Sequence, residues 1–415
     1  MTTENNWPSK PCLAPLTSVN IMPNGQYRPC CWFWNEPRKD ADGNKLHHHS
    51  VRSMGLEEYR NTVLAPMYKE MEQGKYPSGC FKCNTKARSR WNYYEKMYND
   101  VRVDKPEHVN LRTLDLRFGN LCNASCVTCN FTNSSYFDKV QKQGYWMMEG
   151  ENAHIPANEE RKKQISATMN WYEDPTVEAD IISKLQNIDH LYVTGGEPTI
   201  NPMLHKILQH LIDNNRASQI TLEMNTNGTN MNGKFSSLIE PFKKIVMFSV
   251  DGYGELNDVM RFPTKFSAIE KNIAKFKQQM SEADTLLITP TVNIHNFFAL
   301  TKLYNWANDN GYRVADRLNI LSQPHWQNIA QIRKSQFDRQ LHKLEAQGQR
   351  KAATEMRVRI ENTSAFDAKE SPNNKWNHTS SELKEVTWED SLDLTRKWFE
   401  SRNYSLKLTN IPEFL

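Results

Sequence analysis

The 415-residue chain predicts an α/β protein built on a parallel sheet, preceded by a cysteine-rich segment and followed by a helical one. Three observations predict it. From Arg112 onward, strand candidates alternate with helical candidates, and parallel strands need such crossovers. All eight cysteines fall before residue 130, five of them in the first 83 residues and three in one loop. After Leu321 the alternation gives way to long charged helical runs.

Composition bounds the possibilities. Hydrophobic residues make up 38% and charged residues 24%, and the mean hydropathy is -0.74, as expected for a globular chain with a wet surface. No apolar run approaches the roughly 20 residues of a spanning helix, and MTTENNWPSK has neither the basic start nor the apolar core of a signal peptide. Cytoplasmic residence and no membrane partner are the expectation. A net charge of +4 neither requires nor rules out nucleic-acid contact. Cysteines in such a chain are expected to be thiols or metal ligands rather than disulfides.

Residues 1 to 108 read as a small separate module. Thr17–Met22 and Gln26–Cys31 are strand candidates joined by Pro23-Asn24-Gly25, a hairpin turn. A polar loop with His47, His48 and His49 follows, read as exposed because nothing in its spacing makes the three converge. Met54 to Gly74 has helical apolar spacing. Gly79-Cys80-Phe81-Lys82-Cys83 is a CxxC knuckle, so Cys12, one of Cys30 and Cys31, Cys80 and Cys83 compose a four-sulfur site. Lys86 to Tyr98 mixes bases with aromatics. That pattern suits single-stranded nucleic acid, but its helical spacing favours an amphipathic helix with packed aromatics.

The next strands are expected at Thr113–Phe118, His190–Thr194, Ile220–Asn225, Lys244–Val250, Leu286–Val292 and Arg317–Leu321, with helices at Pro202–Asn214, Lys234–Phe242, Phe266–Met280 and Phe297–Asn310. The interval from about 131 to 185 is too long for one crossover and carries an insertion with a polar, loop-like middle. Gln331–Arg359 is a charged helical run, and Glu382–Leu415 adds another helix.

Reactive groups collect where strands of such sheets end. After the first strand comes CNASCVTCN, with Cys122, Cys126 and Cys129 spaced as CxxxCxxC. Three thiolates this close can hold three corners of an iron–sulfur cube, leaving one iron open. The second strand ends in Gly195-Gly196-Glu197-Pro198, the third in Thr226-Asn227-Gly228, and the fourth in Ser249-Val250-Asp251-Gly252 with Arg261 beyond. The fifth ends in Asn293.

This combination resembles the radical S-adenosylmethionine (radical SAM) enzymes. The resemblance implies a partial (β/α)6 TIM-like barrel over 109–325; the helical region over 326–415 and the insertion lie outside it. It further implies Cys122, Cys126 and Cys129 as ligands of a [4Fe–4S] cluster whose open iron is chelated by S-adenosylmethionine. Gly195, Gly196 and Glu197 would meet the cofactor's amino group. Ser249 and Arg261, in the SxDG…R pattern that includes Asp251, would meet its carboxylate or ribose, with Asn227 and Asn293 on the same rim. Such an enzyme cleaves S-adenosylmethionine reductively to a 5′-deoxyadenosyl radical that abstracts hydrogen, and it needs an electron donor such as flavodoxin or ferredoxin. Many members carry an aromatic residue before the third cysteine, beside the adenine, where this chain has Thr128.

Residues 1–108 resemble the SPASM/twitch modules of the same superfamily, through Cys12, PNGQYRPCC and GKYPSGCFKC. That implies a second [4Fe–4S] cluster on Cys12, Cys30, Cys80 and Cys83, with Cys31 the alternative to Cys30 and zinc the alternative to the cluster. Here the module precedes the barrel, whereas the usual order places it after. Such modules accompany peptide modification, so a peptide or protein side chain is the expected substrate. A nucleotide, sugar or other small molecule is the enzymatic alternative, and a non-catalytic Fe–S or zinc binding protein the other class. No catalytic acid or base is identified.

Overall fold

The structure, a computed structural model, describes residues 10–34, 38–39, 45–46, 49–83, 89–101, 103, 105–150, 153–231, 233–366 and 387–415. The chain divides into two compact units. The first holds residues 1–122, 163–225 and 233–245; the second holds 123–162, 226–232 and 246–415.

In the first unit, β1 (Ser18–Ile21) and β2 (Tyr27–Arg28) form the expected hairpin, with Gly25 at φ +79° in its turn. β1 also pairs in parallel with β3 (Thr113–Arg117), β3 with β4 (His190–Thr194), and β4 with β5 (Thr221–Thr226). A boundary at residue 108 therefore does not separate compact units. The backbone groups of β1 are satisfied by β3, which ties the leading segment into the sheet.

Register gives this sheet two unlike faces. Val19, Ile21, Leu114, Leu116, Leu191, Val193, Leu222 and Met224 share one face, and all are fully buried. At roughly 1.5–3 kcal/mol each, they are a main source of the unit's stability. The opposite face carries Asn20, Asp115, Tyr192 and Glu223 in one cross-strand row, with Ser18, Thr113, His190 and Thr221 before it and Arg117, Thr194 and Asn225 after it.

Helix Pro202–Asp213 starts where Asn201 Oδ1 accepts from the backbone N–H of Met203 and Leu204, with proline in the first turn. It buries Leu204, Ile207, Leu208 and Leu211. The helix expected over 54–74 forms as Leu56–Tyr59, a wide π-type turn Arg60–Leu64, and Ala65–Glu72. Pro66 lacks an N–H for the helical ladder, and the wide turn precedes it. Helix Ser89–Met97 turns its aromatics inward: Tyr94 and the following Tyr98 are buried, Tyr94 on Ser18 Oγ (3.0 Å) and Tyr98 on Thr113. Of the histidine triplet and the basic stretch, His47, His48, Lys86 and Arg88 lie outside the described residues.

Strand β6 (Lys243–Phe248) begins in the first unit and ends in the second, where the strand expected over 286–292 is split into β7 (Thr285–Ile288) and β8 (Thr291–Val292). Pro290 has no N–H to give a ladder. The sixth strand divides to match: β9 (Arg313–Val314) pairs in parallel with β7, and β10 (Asn319–Ile320) with β8. Helices Phe266–Gln278 and Leu300–Asp309 fall near their expected places. The insertion contains helices Tyr136–Lys142, Glu159–Met169 and Pro175–Ser183, the last wholly in the first unit. The charged run forms two helices, Lys334–Ala346 and Arg350–Phe366, broken near Gly348 at φ +82°. Trp388–Ser401 follows, closed at its start by a reciprocal Thr387–Asp390 capping box. Among the described residues, no helix is long and apolar enough to cross a membrane.

Candidate active site

In the first unit, the Gly195-Gly196-Glu197 turn lies against the residues that lead into Cys122. Glu197 N–H donates to the Leu121 carbonyl (2.8 Å). Gly196 has φ +51°, and a Cβ there would stand 2.2 Å from the Leu121 oxygen; Gly195, at φ +81°, packs on the Arg117 backbone. Only glycine fits both demands. Glu197 is buried, and its carboxylate accepts from Thr199 N–H (3.1 Å) and Thr199 Oγ1 (2.6 Å).

In the second unit, the rest of the cysteine loop is laced to the segment around Arg261. Ser125 N–H donates to the Phe262 carbonyl (2.7 Å) and Val127 N–H to the Met260 carbonyl (2.8 Å), bracketing Arg261. Its guanidinium stands 3.9 Å from Cys126 Sγ and forms an ion pair with Asp251 (2.8 Å). Burial works against that charge, but Asp251 and then Cys126 overcome it, so Arg261 is held firmly protonated. Asp251 also accepts from Thr291 N–H (2.7 Å). Asn227 donates to Asn123 Oδ1 (2.7 Å), and both join Thr229 in a closed network that steadies the loop. Ser249 is half-buried, with its N–H on the Thr226 carbonyl. Asn293 is wholly buried and engaged: its oxygen caps helix Ile294–Phe297 and its amide donates to the Thr291 carbonyl.

The Val127 carbonyl, between Cys126 and Cys129, is held from two distant parts of the chain. His154 Nε2 donates to it at 3.0 Å and Gln327 Nε2 at 2.6 Å. Burial pushes the His154 pKa down to about 4, so the ring is neutral near pH 7. Its Nδ1 accepts from Met148 N–H, which places the proton on Nε2.

A second sulfur-rich site lies in the first unit. Cys12, Cys30, Cys80 and Cys83 line one apolar cavity. Burial pushes the Cys30 thiol up to about 12, helped by Cys31, and raises Cys12, Cys80 and Cys83 as well. Cys31 points elsewhere: its sulfur accepts from Arg90 Nε (3.1 Å) and Nη2 (2.7 Å). Among the described residues, no three His, Cys, Asp or Glu side chains form a group that could hold one metal ion.

The polar sheet face is a cluster that no strand-end motif marks. Arg117 pairs with buried Asp115 (3.4 Å), His190 Nε2 meets the Glu223 carboxylate at 2.9 Å, and Asn225 donates to Tyr192 Oη at 2.5 Å. Asn20 is fully buried and donates to the Asp115 carbonyl, leaving its own oxygen without a hydrogen-bond partner. The signal was present in TLDLR, HLYVT and TLEMNT. Parallel strands covered by apolar layers on both faces read as continuous apolar runs, whereas these alternate strictly.

Residues 116–303 match the Radical SAM superfamily. An uncharacterized protein of Methanocaldococcus jannaschii is 26% identical over 152 residues, 36% of this chain and 42% of the relative. Among solved structures, native anSMEcpe with bound AdoMet shares 15% identity over 57% of this chain and 59% of its own, at a TM-score of 0.38. Streptococcus suis SuiB bound to S-adenosylmethionine shares 11% over 61% of this chain and 49% of its own, at 0.30. The matches thus span less than two thirds of each of these proteins. The likeness to the Radical SAM superfamily is thus carried by residues 116–303 of this chain.

Proposed function

We propose that the chain is a radical SAM enzyme with a six-stranded partial barrel, acting on a peptide or protein side chain. The cysteine loop with its packed surroundings carries this reading. Cys126 and Cys129 stand with Cys122 in ligand spacing, Arg261 faces Cys126, and Gly196 admits the Leu121 backbone where a Cβ could not. Soft sulfur donors beside a fixed cation suit a cluster that carries negative charge. When bound, the reduced cluster supplies the electron that cleaves S-adenosylmethionine to the 5′-deoxyadenosyl radical, which abstracts hydrogen from the substrate.

The protein's own part is orientation. Leu121 and Gly196 fix the chain entering Cys122, while Val127, Met260 and Phe262 fix the chain between the other two cysteines. Arg261 offsets sulfur charge and is itself offset by Asp251. Backbone C=O groups near Gly195–Glu197 suit an amino group, and Ser249 a carboxylate or ribose. The peptide substrate rests on the likeness of residues 1–108 to SPASM/twitch modules, and the polar sheet face offers hydrogen-bonding groups suited to such a chain. An external one-electron donor such as a flavodoxin or ferredoxin is required.

The four cysteines around this apolar cavity offer the soft sulfur donors of a second [4Fe–4S] cluster, with a structural zinc as the alternative. Cys30 faces that cavity and Cys31 does not, which favours Cys30 as the ligand.

Anaerobic reconstitution tests both claims. About eight irons per chain and 5′-deoxyadenosine release with reductant are expected. About four irons with one zinc would replace the second cluster by a structural metal. No 5′-deoxyadenosine, with or without peptides, would sink the enzymatic reading.

A further inference from the structure

Cys126, Val127, Thr128 and Cys129 form a turn closed by the Cys129 N–H on the Cys126 carbonyl (2.9 Å). Its central peptide group joins Val127 to Thr128. The oxygen of that group takes both donors described above, His154 Nε2 at 3.0 Å and Gln327 Nε2 at 2.6 Å. A trans peptide is planar, so its N–H points away from its C=O. The Thr128 N–H therefore faces away from His154 and Gln327. It has no hydrogen-bond partner among the described residues, and Thr128 is half-buried rather than sealed in the core.

The two donors are themselves fixed. Gln327 is wholly buried and His154 is 2% exposed. The His154 ring is held by contacts with Trp398 (4.6 Å between centroids) and Phe137 (5.8 Å), and its Nδ1 accepts from Met148 N–H. A carbonyl oxygen has two lone pairs, and here buried side chains engage both. Two donors on an amide oxygen draw charge from its nitrogen and make its N–H a stronger donor. Hydrogen bonds to the sulfurs are among the levers that set the potential of an iron–sulfur cluster.

We infer that His154 and Gln327 are positioning residues that raise the reduction potential of the loop's cluster through the Val127–Thr128 peptide, whose N–H donates to a cluster or cysteine sulfur. This rests on the radical SAM reading above. A hydrogen bond to sulfur favours the reduced state, which carries one more negative charge. His154 comes from the insertion and Gln327 lies beyond residue 303, where the family match ends. Segments outside the resemblance thus control how readily the cluster takes its electron.

The test reads a potential rather than turnover. Reconstituted protein is titrated anaerobically against ambient potential, following the electron paramagnetic resonance signal that a Cys122→Ala/Cys126→Ala/Cys129→Ala variant lacks. Gln327→Leu and His154→Phe keep the bulk and remove one donor each. One bond strengthens the next by ~10–30%, so each variant should lower the reduced-to-oxidised ratio at fixed potential about threefold, a fall of about 30 mV. The double variant should reach about tenfold, or about 60 mV. His154→Gln, which keeps an amide donor, should restore the wild-type value. The sign excludes mere loosening, because water entering the site would stabilise the more negative state and raise the potential. Unmoved or raised potentials in both single variants, with iron content intact, overturn the inference. If one variant loses its cluster the other decides, and if both do, Gln327→Met, flexible and close in volume, decides by the same criterion. Cluster loss in all three overturns it as well, since the grip is then needed for assembly alone. A wild-type protein that lacks the three-cysteine signal removes the radical SAM reading and this inference together, whereas a normal signal with unmoved variants removes this inference alone.

Discussion

Gly196→Ala should separate backbone strain from steric conflict at the entrance to the cysteine loop. Gly196 has φ +51°, and its new Cβ would meet the Leu121 oxygen at 2.2 Å, the Leu121 carbonyl carbon at 2.8 Å and its nitrogen at 3.0 Å. All three are backbone atoms, so no side chain can rotate aside. The left-handed conformation alone costs alanine ~1–2 kcal/mol, and forced overpacking adds ~1–3 kcal/mol. Gly144→Ala is the control, because Gly144 has φ +81° with nothing within 4 Å of its Cβ position. In urea unfolding followed by circular dichroism, Gly196→Ala should therefore lose ~1–3 kcal/mol more than Gly144→Ala. The displaced Leu121 backbone carries Cys122 with it, so Gly196→Ala should also reconstitute with about half the iron, that is ~4 per chain. Equal midpoints for the two alanine variants, with iron unchanged, would show that the glycine is not required by this contact.

Other consequences follow from the same geometry. Cys30→Ala should lose ~4 irons per chain, whereas Cys31→Ala, which removes the sulfur facing Arg90, should keep the wild-type count. Asp251→Asn leaves Arg261 buried without its anionic partner and should cost ~3–5 kcal/mol in urea unfolding; a loss under 1 kcal/mol would count against a structural ion pair. Burial holds His154 and His295 at pKa values of about 4 and 3, the latter aided by His154. An unfolded histidine titrates near 6.5, so their contribution is complete above that pH and is lost as pH falls toward 4. The unfolding free energy should approach a slope of ~2.7 kcal/mol per pH unit in that window. Replacing both histidines with glutamine should flatten it, and a wild-type slope near zero between pH 6 and 4.5 would refute the burial argument.

Much of this architecture is legible in local pattern. His190–Thr194 was expected at its observed ends, and Pro202 and Asn201 announced their helix, because periodicity and capping act over a few residues. Three features were harder to read. The parallel pairing of Ser18–Ile21 with Thr113–Arg117 joins strands almost a hundred residues apart, and nothing in either strand names its partner. Pro290 was a readable breaker inside a strand that its apolar neighbours made look continuous. The polar face is written in the alternation of three strands, but in their middles, away from the strand-end motifs. At the candidate site, spacing made Cys122, Cys126 and Cys129 the candidate ligands. It was silent on Cys30 against Cys31, because adjacent residues share one position in sequence and separate only when their side chains point apart. The grip of His154 and Gln327 on the Val127 carbonyl depends on contacts that no short motif encodes.

The double grip on the Val127 carbonyl has a consequence in time. Gln327 reaches it across 200 positions, Trp398 Nε1 donates to the Val259 carbonyl across 139, and Arg402 Nη1 to the Trp146 carbonyl across 256. At ribosomal rates of roughly 5–20 residues per second, Cys129 is synthesised many seconds before these anchors exist. During that interval its thiol belongs to an incomplete unit, open to oxygen and to stray metals. If Cys129 is a cluster ligand as proposed, delivery of that cluster is a late event, after the anchoring segments have emerged.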